Sequence, residues 1–169
     1  GTSTTLSMDE RGQVHVYSRN WELDSMSSNM QLAKRFQLDK MLWPGMAVQF
    51  ELCGPGIQSN RLKLPAQRPF VFAVWKDRHK IDRDQWPTGM PNLAVPELDE
   101  NEWALTGSVD DMIAKVDGLR GNVTKDRLDE GIVWHLYEDQ QLSEGLADEL
   151  GANRCFKIIN NKYLTKNGL

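Results

Sequence analysis

Cysteine is scarce in this chain. Of its 169 residues only Cys53 and Cys155 carry a thiol, too few for a disulfide framework and without the paired spacing of a metal site, so both are expected as reduced residues inside strands. No apolar run approaches the roughly 20 residues that a membrane-spanning helix needs. A charged start followed by an apolar stretch, the mark of a secretion signal, is also missing. Together these absences point to a cytoplasmic protein with no membrane partner. Positive charge is in short supply too: 20 Lys and Arg stand against 24 Asp and Glu, a formal balance of -4. That balance speaks against nucleic-acid binding through global charge and leaves room only for a local basic groove. There is no repeat, no low-complexity stretch and no initiator Met.

What remains is ordinary globular material. A content of 40% hydrophobic and 26% charged residues fits one soluble domain over residues 1–169. Thr2 to Met8 and Gln13 to Arg19 are rich in β-formers and are separated by the polar turn Asp9-Glu10-Arg11-Gly12, which predicts a hairpin. Ser27-Ser28-Asn29 is a cap signal for a helix through Met30, Ala33, Phe36 and Lys40, ended by Trp43-Pro44-Gly45. Met46 to Cys53 alternates, with Val48, Phe50 and Leu52 on one face and Ala47, Gln49, Glu51 and Cys53 on the other, as a half-buried strand does.

Phe70 to Trp75 reads as a nearly continuous apolar strand, followed to about Pro96 by a charged, proline-containing surface connection. Ser108 starts an amphipathic helix through Met112, Ile113 and Val116, with Gly118 as its stop. Gly131 to Tyr137 and Cys155 to Ile159 read as strands, joined by a segment through Leu142, Leu146 and Leu150 that suits a short helix. Strands and helices mixed in no regular βαβ order predict an α+β fold with largely antiparallel sheets.

Three segments carry charged groups next to or within apolar strands, the pattern of a sheet-lined ligand pocket. They are Phe50-Glu51-Leu52-Cys53-Gly54-Pro55-Gly56-Ile57-Gln58, Asp129-Glu130-Gly131-Ile132-Val133-Trp134-His135, and Cys155 through Leu164 with Lys157 and Lys162. Lys157 is the hardest to dismiss, since burying an unpaired ammonium is costly and calls for an anion or water.

Taken in order with Gly1-Thr2-Ser3, Tyr17-Ser18-Arg19-Asn20 and the aromatic strand Phe70-Val71-Phe72-Ala73-Val74-Trp75, these segments resemble the motifs of the covalent nucleotidyltransferase superfamily of ATP-dependent ligases and mRNA capping enzymes. The likeness runs from Gly1 to about Leu164 and is strongest to RNA ligases of the type first recognised in Deinococcus, in which an amino-terminal OB domain precedes the nucleotidyltransferase (adenylation) domain. The resemblance implies a monomeric RNA ligase, active in RNA repair, that seals 3′-OH and 5′-phosphate RNA ends, including those of a nicked duplex. It implies ATP and Mg²⁺ or Mn²⁺ as cofactors, with lysyl-adenylate and adenylylated-RNA intermediates.

By the same resemblance Gly1, Thr2 and Ser3 lie beside the nucleotide, Arg19 contacts a phosphate or the RNA end, and Glu51 binds the ribose hydroxyls. Phe72, or less favourably Phe70, stacks on adenine. Glu130 supports the metal and the reacting lysine, while Lys157 and Lys162 hold phosphate. These roles suit the side chains, since carboxylates accept hydroxyls or bind hard metals and cations pair with phosphate.

The chain departs from the pattern at Ala73, His135 and Ile159, where relatives carry acidic or basic residues. Its opening resembles the downstream side of a Lys-x-Asp-Gly motif without the lysine, so the chain as numbered is expected not to adenylylate itself. Lys115-Val116-Asp117-Gly118 matches that motif letter for letter, but it falls between the aromatic strand and Glu130, on a helix end, and is read as coincidence. The alternatives are a catalytically inactive nucleotide- or RNA-binding module of the same fold, and a DNA ligase or capping enzyme.

Overall fold

Alternating apolar and polar residues turn the first half of the chain into sheet. The computed structural model describes residues 1–105, 107–136, 142, 144–150 and 155–169, which form two compact units, Gly1–Val95 and Pro96–Leu169, each with its own core.

In the first unit β1 (Thr2–Met8), β2 (Val14–Tyr17), β3 (Glu22–Leu23), β4 (Met46–Cys53), β5 (Arg68–Lys76) and β6 (His79–Ile81) form one sheet. Its order is β3-β2-β1-β4-β5-β6, with every neighbouring pair antiparallel. The β1–β2 hairpin closes where the Asp9 carboxylate accepts the N–H groups of Arg11 at 2.9 Å and Gln13 at 2.8 Å. Gly12 follows with φ of 80°, a conformation that a side chain resists.

The expected alternation of β4 holds through Leu52. Val48, Phe50 and Leu52 are buried, whereas Ala47, Gln49 and Glu51 are half-buried. Cys53 departs from it and is buried. Against the buried face packs α1 (Ser28–Arg35), whose Met30, Leu32 and Ala33 join Leu6, Val16, Val48, Phe50 and Val74 in one core.

Two expectations need correction. The first helix ends at Arg35 rather than near Lys40, because Gln37 takes a left-handed φ of 58° and the chain continues as a 3₁₀ turn over Leu38–Met41. The connection after β5 is not simply surface. It contains β6 and short 3₁₀ turns, and it returns Trp86 and Met90 to the core, with the indole N–H of Trp86 donating to the Ile81 carbonyl at 3.2 Å.

In the second unit α2 (Val109–Val116) begins as expected. The Ser108 hydroxyl accepts the Asp111 N–H, and the Asp111 carboxylate accepts the Ser108 N–H, a reciprocal capping box. β7 (Gly131–His135) pairs antiparallel with β8 (Cys155–Ile159), and Tyr137, expected in the first of these strands, lies outside the described residues. Trp134 and Phe156 stack across the pair at 5.6 Å, and Trp134 and Ile158 bury against Met112 and Val116. Gly131 has a positive φ, and a Cβ there would collide with the Ile158 carbonyl oxygen. α3 (Glu144–Leu150) carries the buried Leu146, and α4 (Asn161–Asn167) follows β8.

Phe50, wholly buried on a central strand, should be the first unit's most costly truncation. Phe50→Ala is expected to lower the unfolding free energy by about 3–5 kcal/mol, read by urea denaturation; a loss below about 1 kcal/mol would contradict the burial of that face.

Candidate active site

Strand register decides which of the candidate residues in the first unit meet. Ser3 lies opposite Glu51, and Glu51 lies opposite Phe70, so three neighbouring strands place these residues in one rung on the less buried face. Thr2 pairs with Leu52 instead and therefore projects from the opposite face, where it lines a small cavity of about 220 Å³ with Asn29, Gln58 and Gln67. The Glu51 side chain is 38% exposed, with one carboxylate oxygen 3.8 Å from the Gly1 amino group. That amino group also donates to the Gln58 side-chain oxygen at 3.2 Å.

Phe72 occupies a special position in β5. Phe50 pairs with Val71 and Gln49 with Ala73, so Phe72 is the additional residue of a β-bulge, a device that redirects a side chain out of the regular alternation. It is half-buried, whereas Phe70 is buried at 6% with the Arg68 guanidinium 4.6 Å over its ring. The face that carries Glu51 continues into an open groove of about 700 Å³ lined by Thr5, Ser7, Gln49 and Trp75, with the Trp75 indole N–H donating to Gln49 at 2.9 Å. Glu10, Asp77 and Arg78 line the same groove at its far end, away from Ser3 and Glu51.

The second unit carries the other candidates. Glu130 sits immediately before β7 and Lys157 in the middle of β8, opposite Val133. The Lys157 ammonium donates to the Glu130 carboxylate, and their side chains are 41% and 54% exposed. Lys157 is therefore not a buried cation in need of an anion: alternation sends it, with Val133, His135 and Cys155, to the exposed face, while Trp134 and Ile158 face the core. Lys162, in the first turn of α4, reaches Asp117 at 3.1 Å, and its backbone N–H donates to the same carboxylate at 3.1 Å. The Lys162 side-chain bond, more than any other influence, holds the Asp117 carboxyl below its ordinary value of 3.8.

Behind both lysines lies a residue that the sequence reading passed over. Asn160 is fully buried, and its side-chain oxygen accepts the N–H groups of Gly118 at 2.9 Å and Tyr163 at 3.3 Å. Its amide donates to the carbonyls of Leu119 and Asp129, each at 3.0 Å, and its own N–H donates to the Glu130 carbonyl at 2.9 Å. One side chain thus fixes the loop before Arg120, the entry to β7 and the start of α4. An Asn between an apolar strand and a helical pattern is an N-cap signal, and it could have been read as one.

The Lys115-Val116-Asp117-Gly118 string also has structural work. Lys115 lies over the Trp103 ring at 4.9 Å and donates to the Glu102 carbonyl, Asp117 receives Lys162, and Gly118 donates to Asn160.

A nucleotide's needs can be set against these groups. In the first unit Glu51 carries acceptors that suit ribose hydroxyls and Arg19 is exposed on the turn after β2; in the second unit, taken by itself, Lys157 and Lys162 carry cations that suit phosphate. Among the described residues no group of three or more His, Cys, Asp or Glu is placed to hold a metal. A lone carboxylate such as Glu130 still suits Mg²⁺ or Mn²⁺ bound largely through phosphate oxygens and water.

Asn160→Leu is expected to cost about 3 kcal/mol or more, because it leaves buried donors and acceptors unpaired. Chemical denaturation followed through the second unit's tryptophans checks this. Asp117 gives a pH signature. Its folded pKa is depressed, so its stabilising contribution is complete above the unfolded value and disappears as pH falls through the folded one. The stability difference between wild type and Asp117→Asn, measured across pH, should therefore shrink below about pH 3.8.

Comparison with protein-family models and with curated proteins finds no match. Solved structures do match. Naegleria gruberi RNA ligase with pyrophosphate is 24% identical, with a TM-score of 0.72 over 99% of this chain and 49% of that one. A point variant of the same ligase with ATP and Mn is 25% identical, with a TM-score of 0.68 over 99% and 49%. Another with AMP and Mn is 23% identical, with a TM-score of 0.71 over 98% and 48%. The chain spans about half the length of the ligase structures it matches, and over that half it has their α+β fold with antiparallel sheet.

Proposed function

We propose that residues 1–169 act as one nucleotidyltransferase domain of an ATP-dependent RNA ligase that joins 3′-OH and 5′-phosphate RNA ends. The observation that carries this reading is the rung of Ser3, Glu51 and Phe70 across three neighbouring strands of a six-stranded sheet, with a β-bulge at Phe72 two residues further along β5. The likeness of the chain's fold to structures of RNA ligase with ATP and Mn and with AMP and Mn supports the choice of ligand.

In this reading Glu51 accepts the ribose hydroxyls and Phe72 packs on the base, aided by its release from the regular pleat. ATP supplies the transferable AMP, and a divalent cation supplies countercharge at its phosphates. Lys157 turns from Glu130 to phosphate oxygens, which leaves the Glu130 carboxylate to bind the cation. That exchange is inexpensive, because an exposed ion pair is worth only about 0–1 kcal/mol. Lys162 adds a second cation for phosphate, held in place by Asp117. Arg19 contacts phosphate at the RNA end.

Titration calorimetry with Mn²⁺ present tests the assignment. The wild-type chain is expected to bind ATP. Glu51→Ala should weaken ATP and adenosine alike, by about tenfold for two lost hydrogen bonds. Lys157→Ala should weaken ATP by at least as much and leave adenosine unchanged. Absence of ATP binding by the wild-type chain, or equal losses for both ligands with Lys157→Ala, would overturn the reading.

A further inference from the structure

The most exposed tryptophan among the described residues has not been discussed so far. Trp21 is 75% exposed, although tryptophan is on average among the more buried residue types. It closes a four-residue turn between β2 and β3 whose ends are tied three times. The Ser18 N–H donates to the Trp21 carbonyl at 2.8 Å, the Ser18 hydroxyl donates to the same oxygen at 3.2 Å, and the Trp21 N–H donates to that hydroxyl at 3.3 Å. The backbone that presents the indole is thus held, while the indole makes no ring contact among the described residues. Arg19 and Asn20, the central residues of the turn, are exposed as well.

The register locates this turn. Tyr17 pairs with Thr5, and β2 runs antiparallel to β1, so the chain leaves β2 at the sheet end where β1 begins, beside Ser3 and Glu51. Two strand spacings, about 10 Å, separate β2 from β4. The same end of the sheet carries the loop from Cys53 to Arg68. From Leu52 to Lys76 there is no Asp or Glu, although the chain is acidic overall, and this stretch contains Arg61, Lys63 and Arg68. The two acids that follow Trp21 in the chain are engaged: Glu22 bonds the His15 ring at 2.8 Å and Asp24 accepts the Met26 N–H at 2.7 Å.

We propose that Trp21 is a base-stacking platform for single-stranded RNA next to the reacting end, with Arg19 taking a backbone phosphate and Asn20 a base edge or ribose hydroxyl. This rests on the RNA ligase reading and adds to it the residue that grips a base outside the nucleotide site. An exposed indole accepts any base face, and a guanidinium beside it supplies the charge that draws the strand in. The acid-free loop between Cys53 and Arg68 at the same sheet end, with Arg61 and Lys63, favours a polyanion over an apolar protein surface as the occupant.

The test is the affinity of the chain for a short fluorescein-labelled single-stranded RNA, measured by anisotropy over a range of salt, with ATP binding measured separately. Trp21→Ala is expected to weaken RNA by about tenfold and Trp21→Phe far less. The slope of log affinity against log salt should be unchanged in both, since an indole releases no counterion. Melting temperature should match wild type for an exposed side chain. Equal RNA affinity for wild type and Trp21→Ala overturns the proposal while leaving the ligase reading intact if ATP still binds. A change in self-association without a change in RNA affinity makes the tip a protein contact and also overturns it. Failure of the wild-type chain to bind RNA overturns this inference together with the RNA ligase reading.

Discussion

The pairing of β1 with β4 is the constraint on which the first unit depends. Side chains on a strand alternate with period two, so a slip of one residue would send Val48, Phe50 and Leu52 to the exposed face and bring Glu51 into the core. The hydrophobic term fixes the register, because Leu6, Val48 and Phe50 are completely buried against α1 and β5. Once it is fixed, Ser3 and Glu51 have no choice but to face each other. The polar rung is thus a by-product of core packing, which gives it a rigid base. The bulge in β5 interrupts this rule at Phe72.

The second unit is organised by a polar group instead. Its apolar cluster is small, centred on Met112, Val116, Trp134 and Ile158, and its loops are joined by the buried amide of Asn160. Every hydrogen-bonding atom of that amide has a protein partner, so it avoids the penalty of a half-satisfied buried group. The segments it joins are those that precede Glu130 and follow Lys157. Two exposed lysines are thereby presented from a backbone much stiffer than their own side chains.

Much of this was legible from residue order, and what was not has physical causes. The alternation in β4 reveals the Glu51 face because a period-two pattern is local. The capping box of α2 is local as well, written in Ser108 and Asp111. By contrast, Lys157 reads from sequence as a cation in an apolar strand, and only cross-strand pairing shows that alternation places it outside, beside Glu130. The bulge at Phe72 has no local signature, since no Gly or Pro marks it, and it appears only once two strands are aligned. The burial of Trp86 and Met90 is a tertiary outcome that a charged, proline-containing segment conceals. Asn160 has a local signal as a helix cap, but its reach to Gly118 and Leu119 depends on a contact more than 40 residues away in sequence. Identical letters also need not mean identical roles, since Asp117 and Gly118 serve Lys162 and Asn160.

The two cysteines differ in a way that has a practical consequence. Cys53 is buried at the end of β4, while Cys155 is exposed at the start of β8, two residues from Lys157 and on the same face. Alkylating reagents act on accessible thiolates, so the native chain carries its own address for a spectroscopic label. A dye attached there would sit beside the Lys157–Glu130 ion pair without any engineered residue, and its emission would report any change in that pair.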